Sequence, residues 1–217
     1  YLLLHALLNG GDEVVIPAPY WVSYPSIVTL TGATPRMIRT DEQGRFKMRP
    51  EQLAGVLNAR TRAVILNNPS NPTGAAYDAQ ELAPLLDLLA PYENVMLICD
   101  DVYQHITYDG CHVGHVLRIR PDFRARTVLV NSVSKTYAMT GWRIGYAAGP
   151  TPLIQAMTRL QGQMTSNPSS IAQAAAAAAL TGEQTCVEDM RNTLQQRARL
   201  TMVALQNIPG LRCVPPQ

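Results

Sequence analysis

The segment Asn131-Ser-Val-Ser-Lys-Thr-Tyr-Ala-Met-Thr-Gly-Trp-Arg-Ile-Gly145 holds the densest chemistry in the chain. Ser132, Ser134 and Lys135 fall in a turn between two apolar runs, and Arg143 follows eight residues after the lysine. A lone lysine is usually a solvated charge. One framed by buried strands is different, because an amine in a partly desolvated pocket is a nucleophile toward aldehydes. Serine hydroxyls and a guanidinium beside it suit a phosphate, which the guanidinium can hold with two parallel hydrogen bonds.

Three other loops carry unusual residues. Asp100-Asp-Val-Tyr103 follows the apolar run Val95–Cys99. A carboxylate at the end of a buried strand is costly unless it is paired. Two adjacent acids suggest a metal, yet only His105 stands nearby, which is too few ligands. Asn67-Asn-Pro-Ser-Asn-Pro-Thr-Gly74 is ordinary turn composition, but its two Asn-Pro steps impose a stiff path and let Asn71 aim an amide at a ligand. Pro17-Ala-Pro-Tyr-Trp21 ends on one of two tryptophans. Such a ring is usually core or surface, although at a strand end it can stack on a flat ligand. Cys111-His-Val-Gly-His115 offers three metal-type ligands without a fourth and reads as solvated loop. Ser132-Val-Ser-Lys135 also satisfies the S-x-x-K pattern of penicillin-recognising serine hydrolases. That pattern should open a helix and needs S-D-N and K-T-G partners; Lys135-Thr-Tyr137 is not K-T-G.

The elements that must position these residues alternate. Short apolar runs predict strands at Val14–Ile16, Pro35–Arg39, Ala63–Leu66, Val95–Cys99, Thr127–Val130 and Trp142–Ala147. Helices are predicted at Tyr24–Leu30 and at Pro50–Leu57, the latter with proline in its first turn. A third starts after Asp78, where Glu81 completes a capping box and Leu82, Leu85, Leu86 and Leu89 form an apolar face. Continuous apolar strands separated by helices argue for an α/β fold, a mostly parallel central sheet with helices on both faces. Ligands of such sheets bind outside the carboxyl ends of the strands, which is where the four loops lie. From Pro152 onward the strands stop. Ile171–Leu180, nearly all alanine, predicts a helix packed closely against something. Residues 183–206 read as a long polar helix, a connector to a second domain whose first strand begins near Leu211.

Composition excludes several classes. Of 217 residues, 47% are hydrophobic and 16% charged, which is globular rather than disordered. The net charge of +2 shows no basic excess, which argues against nucleic acid as a partner. No apolar run approaches the roughly 18 residues of a membrane span. The four cysteines, Cys99, Cys111, Cys186 and Cys213, lack C-x-x-C spacing and suggest free thiols in the cytoplasm. The chain opens as a helix entered midway, with no cap, and is expected to be cut at both ends.

Taken together, Pro19-Tyr-Trp21, Asn71-Pro-Thr-Gly74, Asp100-Asp-Val-Tyr103 and Ser132–Gly145 resemble fold-type I pyridoxal-phosphate enzymes, and among them the class I aminotransferases related to aspartate aminotransferase. The resemblance runs along essentially the whole chain, and its last motif is highly specific. It implies amino-group transfer between an L-amino acid and a 2-oxo acid on pyridoxal 5'-phosphate. It also implies that Lys135 is the Schiff-base lysine that later moves the substrate's proton, and that Asp100 pairs with the pyridine nitrogen. Asn71 and Tyr103 would donate to the phenolic oxygen, Trp21 would stack on the ring, and Ser132 and Arg143 would hold the phosphate. Asp101 stands where relatives often have Glu. The resemblance implies cis peptides before Pro19 and Pro72, a homodimer with a shared site, a phosphate-cup loop before Tyr1 and a carboxylate-binding arginine beyond Gln217. It divides the chain into a cofactor-binding large domain, 1–182, and a connecting helix with the start of a small domain, 183–217. The same fold also serves non-catalytic domains of transcription regulators and carbon–sulfur lyases.

Overall fold

Alternation along the strands sets up the architecture. In β3 (Thr61–Asn67), Ala63 and Ile65 belong to one apolar cluster and Val64 and Leu66 to another, and all four are buried. A strand that is apolar on both faces needs cover on both. The computed structural model, which describes residues 1–217, has this arrangement. Strands β1 (Glu13–Ala18), β2 (Thr34–Arg39), β3, β4 (Met96–Asp100), β5 (Thr127–Ser132) and β6 (Gly145–Ala148) form one sheet in the order β2-β1-β3-β4-β5-β6. The first five are parallel; β6 pairs antiparallel with β5 at the edge.

One face is covered by α1 (Leu2–Leu7), α2 (Ser23–Leu30) and α7 (Thr151–Met164), packed on Val14, Ile16, Ala63, Ile65, Ile98 and Val128. The other is covered by α3 (Pro50–Ala54), α4 (Ala79–Leu89) and α5 (Val116–Ile119), packed on Val15, Val64, Leu66, Leu97 and Cys99. The sequence of α4 dictates its start, its buried face and its end. The Asp78 carboxylate accepts from the Glu81 N–H at 2.8 Å, and the Glu81 side chain accepts from the Asp78 N–H at 2.9 Å. Leu82, Leu85, Leu86 and Leu89 recur at helical spacing and are at most 1% exposed; each contributes about 2 kcal/mol of burial. At the far end, Arg126 donates to the carbonyls of Leu89, Ala90 and Tyr92 and so ties down the chain as it leaves the last turn. Cutting Leu86 back to alanine would cost roughly 2–5 kcal/mol.

Three expectations change. The predicted helix over 50–57 is shorter, because Gly55 takes the C-cap position after Ala54. The predicted strand over Trp142–Ala147 starts only at Gly145. Thr140–Trp142 form a 3-10 turn and Arg143 adopts left-handed φ 58°, which no strand accommodates. No strand begins near Leu211: residues 211–217 run without regular structure back to the loop after β3, where the Gln217 N–H donates to the Gly74 carbonyl at 2.9 Å. Pro215 and Pro216 lack the N–H groups a strand ladder would need. The peptides before Pro19 and Pro72 are cis, and so is a third, before Pro69. The alanine-rich segment is α8 (Ser170–Thr181), followed by α9 (Thr185–Gln206). No helix is long and apolar enough to cross a membrane.

Candidate active site

The strand order reverses between β1 and β3, and parallel sheets open a crevice at the carboxyl ends where that happens. A cavity of about 490 Å³ lies there, lined by the loops that follow β1, β3, β4 and β5. It brings together Trp21, Asn71, Asp100, Tyr103, Ser132, Lys135 and Arg143, the residues to which the resemblance gave a role; Asp101, His105 and residues 111–115 do not line it.

The acid comes from β4, which ends on Asp100. Its Oδ2 accepts a 2.6 Å hydrogen bond from the Tyr24 hydroxyl, and its Oδ1 accepts a 3.3 Å bond from the Val102 N–H. Burial pushes the Asp100 carboxyl above its ordinary range, and these two bonds pull the other way. Asp101 is lifted to about 7 by burial and by the neighbouring Asp100 charge. Burial and the Asp100 charge also push the Tyr103 phenol upward.

The lysine comes from β5. Ser132 ends the strand and caps α6 (Val133–Thr136), its hydroxyl accepting from the Ser134 N–H at 3.2 Å. Lys135 therefore sits on a single helical turn rather than in an irregular one. That turn rests on fully buried Val133, which clusters with Ile144 and with Ala172 and Ala176 of α8. Alanines four apart on one helix face let α8 lie close beneath the turn. Lys135 Nζ stands 5.9 Å from the centroid of the Tyr103 ring. Neither Lys135 nor Asp100 takes part in any ion pair of the chain.

Beyond the lysine, Thr140 Oγ1 donates to the Ser134 carbonyl at 3.0 Å, and Arg143 Nη1 donates to the Thr140 carbonyl at 2.8 Å. The left-handed backbone at Arg143 costs a non-glycine residue about 1–2 kcal/mol, and strain of this kind collects at functional sites. On the opposite wall Trp21 is 42% exposed, and its ring meets Tyr24 edge-on at 5.4 Å between centroids.

Sequence reasoning missed two residues. Tyr24 read as one more residue of a helix, and its bond to Asp100 spans 76 positions, a pairing no local pattern signals. Asn67 read as the first residue of a turn. Its signal was available: a polar residue closes an apolar strand, in register with Asp100 on the adjacent strand. The cysteine-histidine segment 111–115 gathers nothing further, since no group of three or more His, Cys, Asp or Glu side chains is placed to hold a metal. Ser132 does open a helical turn, but the S-x-x-K reading lacks its partner motifs and falls to the comparisons that follow.

The family described as aminotransferase class I and II matches residues 1–217. The aspartate aminotransferase of Geobacillus stearothermophilus is 48% identical over 217 residues, which is 100% of this chain and 55% of that protein. The aspartate/prephenate aminotransferase of Nitrosomonas europaea is 46% identical over 212 residues, 98% of this chain and 53% of that protein. The crystal structure of the Rhizobium meliloti aspartate aminotransferase superposes with a TM-score of 0.97 at 46% identity, covering 100% of this chain and 54% of that one. The chain thus spans about half the length of the relatives it matches. With a match along its whole length, a near-identical backbone and the matching loops gathered at one cavity, the chain belongs to the class I and II aminotransferase family.

Proposed function

We propose that the whole protein transfers an amino group between an L-amino acid and a 2-oxo acid, with pyridoxal 5'-phosphate held in the cavity at the carboxyl end of the sheet. The observation that carries this reading is the pairing, in one cavity, of a lysine amine and a half-buried carboxylate, neither of them ion-paired. Class I aminotransferases are in general pyridoxal-phosphate dependent.

The donor set fits that cofactor. Asp100, raised by burial and lacking a cation, matches a protonated ring nitrogen. Trp21 offers a flat, partly exposed ring for stacking. Asn71 and Tyr103 carry the donors for the phenolic oxygen, and Ser132 and Arg143 those for the phosphate. When bound, the cofactor supplies an electron sink for charge developing at the substrate's α carbon. Asp100 would keep the ring nitrogen protonated, and Tyr24 holds Asp100 in place through its hydroxyl. Lys135 would hold the cofactor through its amine and would serve as the acid–base group at the substrate's α carbon; positioned groups of this kind supply about 10²–10⁴-fold.

Residues 1–182 act as the cofactor-binding body and 183–217 as the connector toward a smaller domain. The names of the relatives favour aspartate or prephenate chemistry, and amino transfer over a regulatory domain or a carbon–sulfur lyase. A homodimer in the cytoplasm is the expected setting, and free cysteines suit it. The test is borohydride reduction of the full-length protein with pyridoxal phosphate, followed by peptide mass mapping. A pyridoxyl adduct on Lys135 supports the reading; no adduct, or one elsewhere, overturns it.

A further inference from the structure

We infer that Asn67 is a positioning residue: its side chain couples the Asn71 amide to the end of the strand that carries Asp100. This rests on the function proposed above. Asn67 ends β3 in register with Asp100 at the end of β4. Its Nδ2 donates to the Asp100 carbonyl at 2.9 Å, and its Oδ1 accepts from the Asn71 N–H at 2.7 Å. One carboxamide therefore ties together the two loops that present the ring-facing groups.

The loop has few other means of fixing Asn71. Pro69 and Pro72 bring no N–H. The Ser70 N–H is committed to the Ala75 carbonyl at 2.8 Å, and the Asn68 N–H to the Asp100 carbonyl at 3.1 Å. The side chain of Asn68 turns away from the cavity. It accepts from the Tyr77 N–H and donates to the carbonyls of Tyr77 and Gly114, and it is 4% exposed. Two adjacent asparagines thus divide the work. Asn68 anchors the loop to the scaffold, whereas Asn67 lines the cavity and sets the backbone from which the Asn71 amide projects. The chemistry needs a carboxamide at 67, because only a group with a donor and an acceptor on one planar head makes both bonds. Aspartate would supply the acceptor without the donor.

The test uses the full-length protein loaded with pyridoxal phosphate, as wild type, N67A, N71A and the double variant. Two quantities are measured: the dissociation constant for pyridoxal phosphate by fluorescence titration, and the pH midpoint of the bound cofactor's absorbance band. A donor at the phenolic oxygen favours its ionised form, so misplacing Asn71 raises the midpoint. N67A is expected to raise it by about one pH unit and to weaken cofactor binding about tenfold. Because Asn67 acts through Asn71, adding N67A to N71A should move the midpoint little further. Additive shifts, or an N67A midpoint equal to that of the wild type, would overturn the inference. If N67A does not fold, N67S, which keeps one hydroxyl acceptor, is run through the same cycle and should lie between wild type and N71A. A wild-type protein that takes no adduct on Lys135 sinks the functional reading and the inference with it. A wild-type adduct with an unmoved variant midpoint sinks the inference alone.

Discussion

The two ends of the same sheet treat buried carboxylates in opposite ways. At the amino end, Glu13 is 2% exposed and accepts from Arg36, Asn58 and Arg60, each at 2.8 Å. Led by the Arg36 hydrogen bond, these donors hold its carboxyl at about 2. At the carboxyl end, Asp100 has one phenol and one backbone N–H, and burial drives it upward; Asp101 reaches about 7. Burying charge is costly wherever it happens, and only the amino end supplies the compensating charge. The amino end is complete within the chain. At the carboxyl end Asp100 is in no ion pair, although Lys135 and Arg143 line the same cavity; under the function proposed above, a protonated pyridine nitrogen would be its partner.

The sharpest way to break this contrast is to remove the cavity's amine. Lys135→Ala is expected to lower the amino-transfer rate of the full-length protein by roughly a thousandfold or more. Stability should scarcely move, since Lys135 belongs to no ion pair. Single-turnover kinetics and urea midpoints on the same preparation measure both. A large loss of stability would mean that the lysine serves the scaffold.

That contrast was only half legible in the sequence. Residues that act from the strand on which they lie could be read directly. Asp100 closes an apolar run, Lys135 opens a turn between two such runs, and the leucines of α4 announce their face by spacing. What could not be read was anything that depends on two distant segments meeting. Tyr24 finds Asp100 only because α2, packed on β1 and β2, carries the phenol to the end of β4, and Glu13 finds Arg36 and Arg60 only because β2 and β3 flank β1. Arg143 lines the cavity, but its conformation was not legible, because left-handed backbone at an arginine has no composition cue. The expected strand near Leu211 failed for a local reason that was present in the sequence, the Pro215-Pro216 pair.

The site end also depends on cover supplied from far along the chain. Ala172 and Ala176 press on Val133 beneath the lysine turn, 5% and 4% exposed. Ala176→Leu should overpack this contact at about 1–3 kcal/mol and push α6 toward the cavity. The expected signature is cofactor binding that weakens by more than the thermal midpoint falls. A fall in both that matches an overpacked α4 variant of equal stability would show that the lysine turn does not feel α8.

Tyr24→Phe removes the only side-chain donor to the Asp100 carboxylate. It should cost the unloaded protein about 1–2 kcal/mol at high pH and raise kcat/KM losses to about tenfold. The pH dependence has a definite sign. The folded Asp100 carboxyl titrates above its unfolded value, so it costs stability as pH rises through that raised range. Losing the phenol raises it further, so wild type and variant should differ least in acid and most above neutrality. Urea midpoints from pH 4 to pH 8 measure this; a gap that widens toward acid would contradict the assignment of the phenol as donor to an ionised carboxylate.

The smallest effect belongs to the complete end, and it runs the other way with pH. Glu13→Gln keeps the shape and removes the charge. Because Arg36 and Arg60 are 45% and 63% exposed, solvent screens much of the loss, leaving about 1 kcal/mol. The folded carboxyl sits at about 2, below an unfolded value of about 4.3. Its contribution is therefore fully present above pH 4 to 5 and disappears as pH falls through about 2. The gap between wild type and Glu13→Gln should be constant from pH 8 to pH 5 and close between pH 4 and pH 2, where Asp101, lifted to about 7, has already given up its own cost. A gap that persists undiminished at pH 2 would mean that the three donors recognise the shape of the side chain and not its charge, and the contrast between the two ends of the sheet would then be one of packing alone.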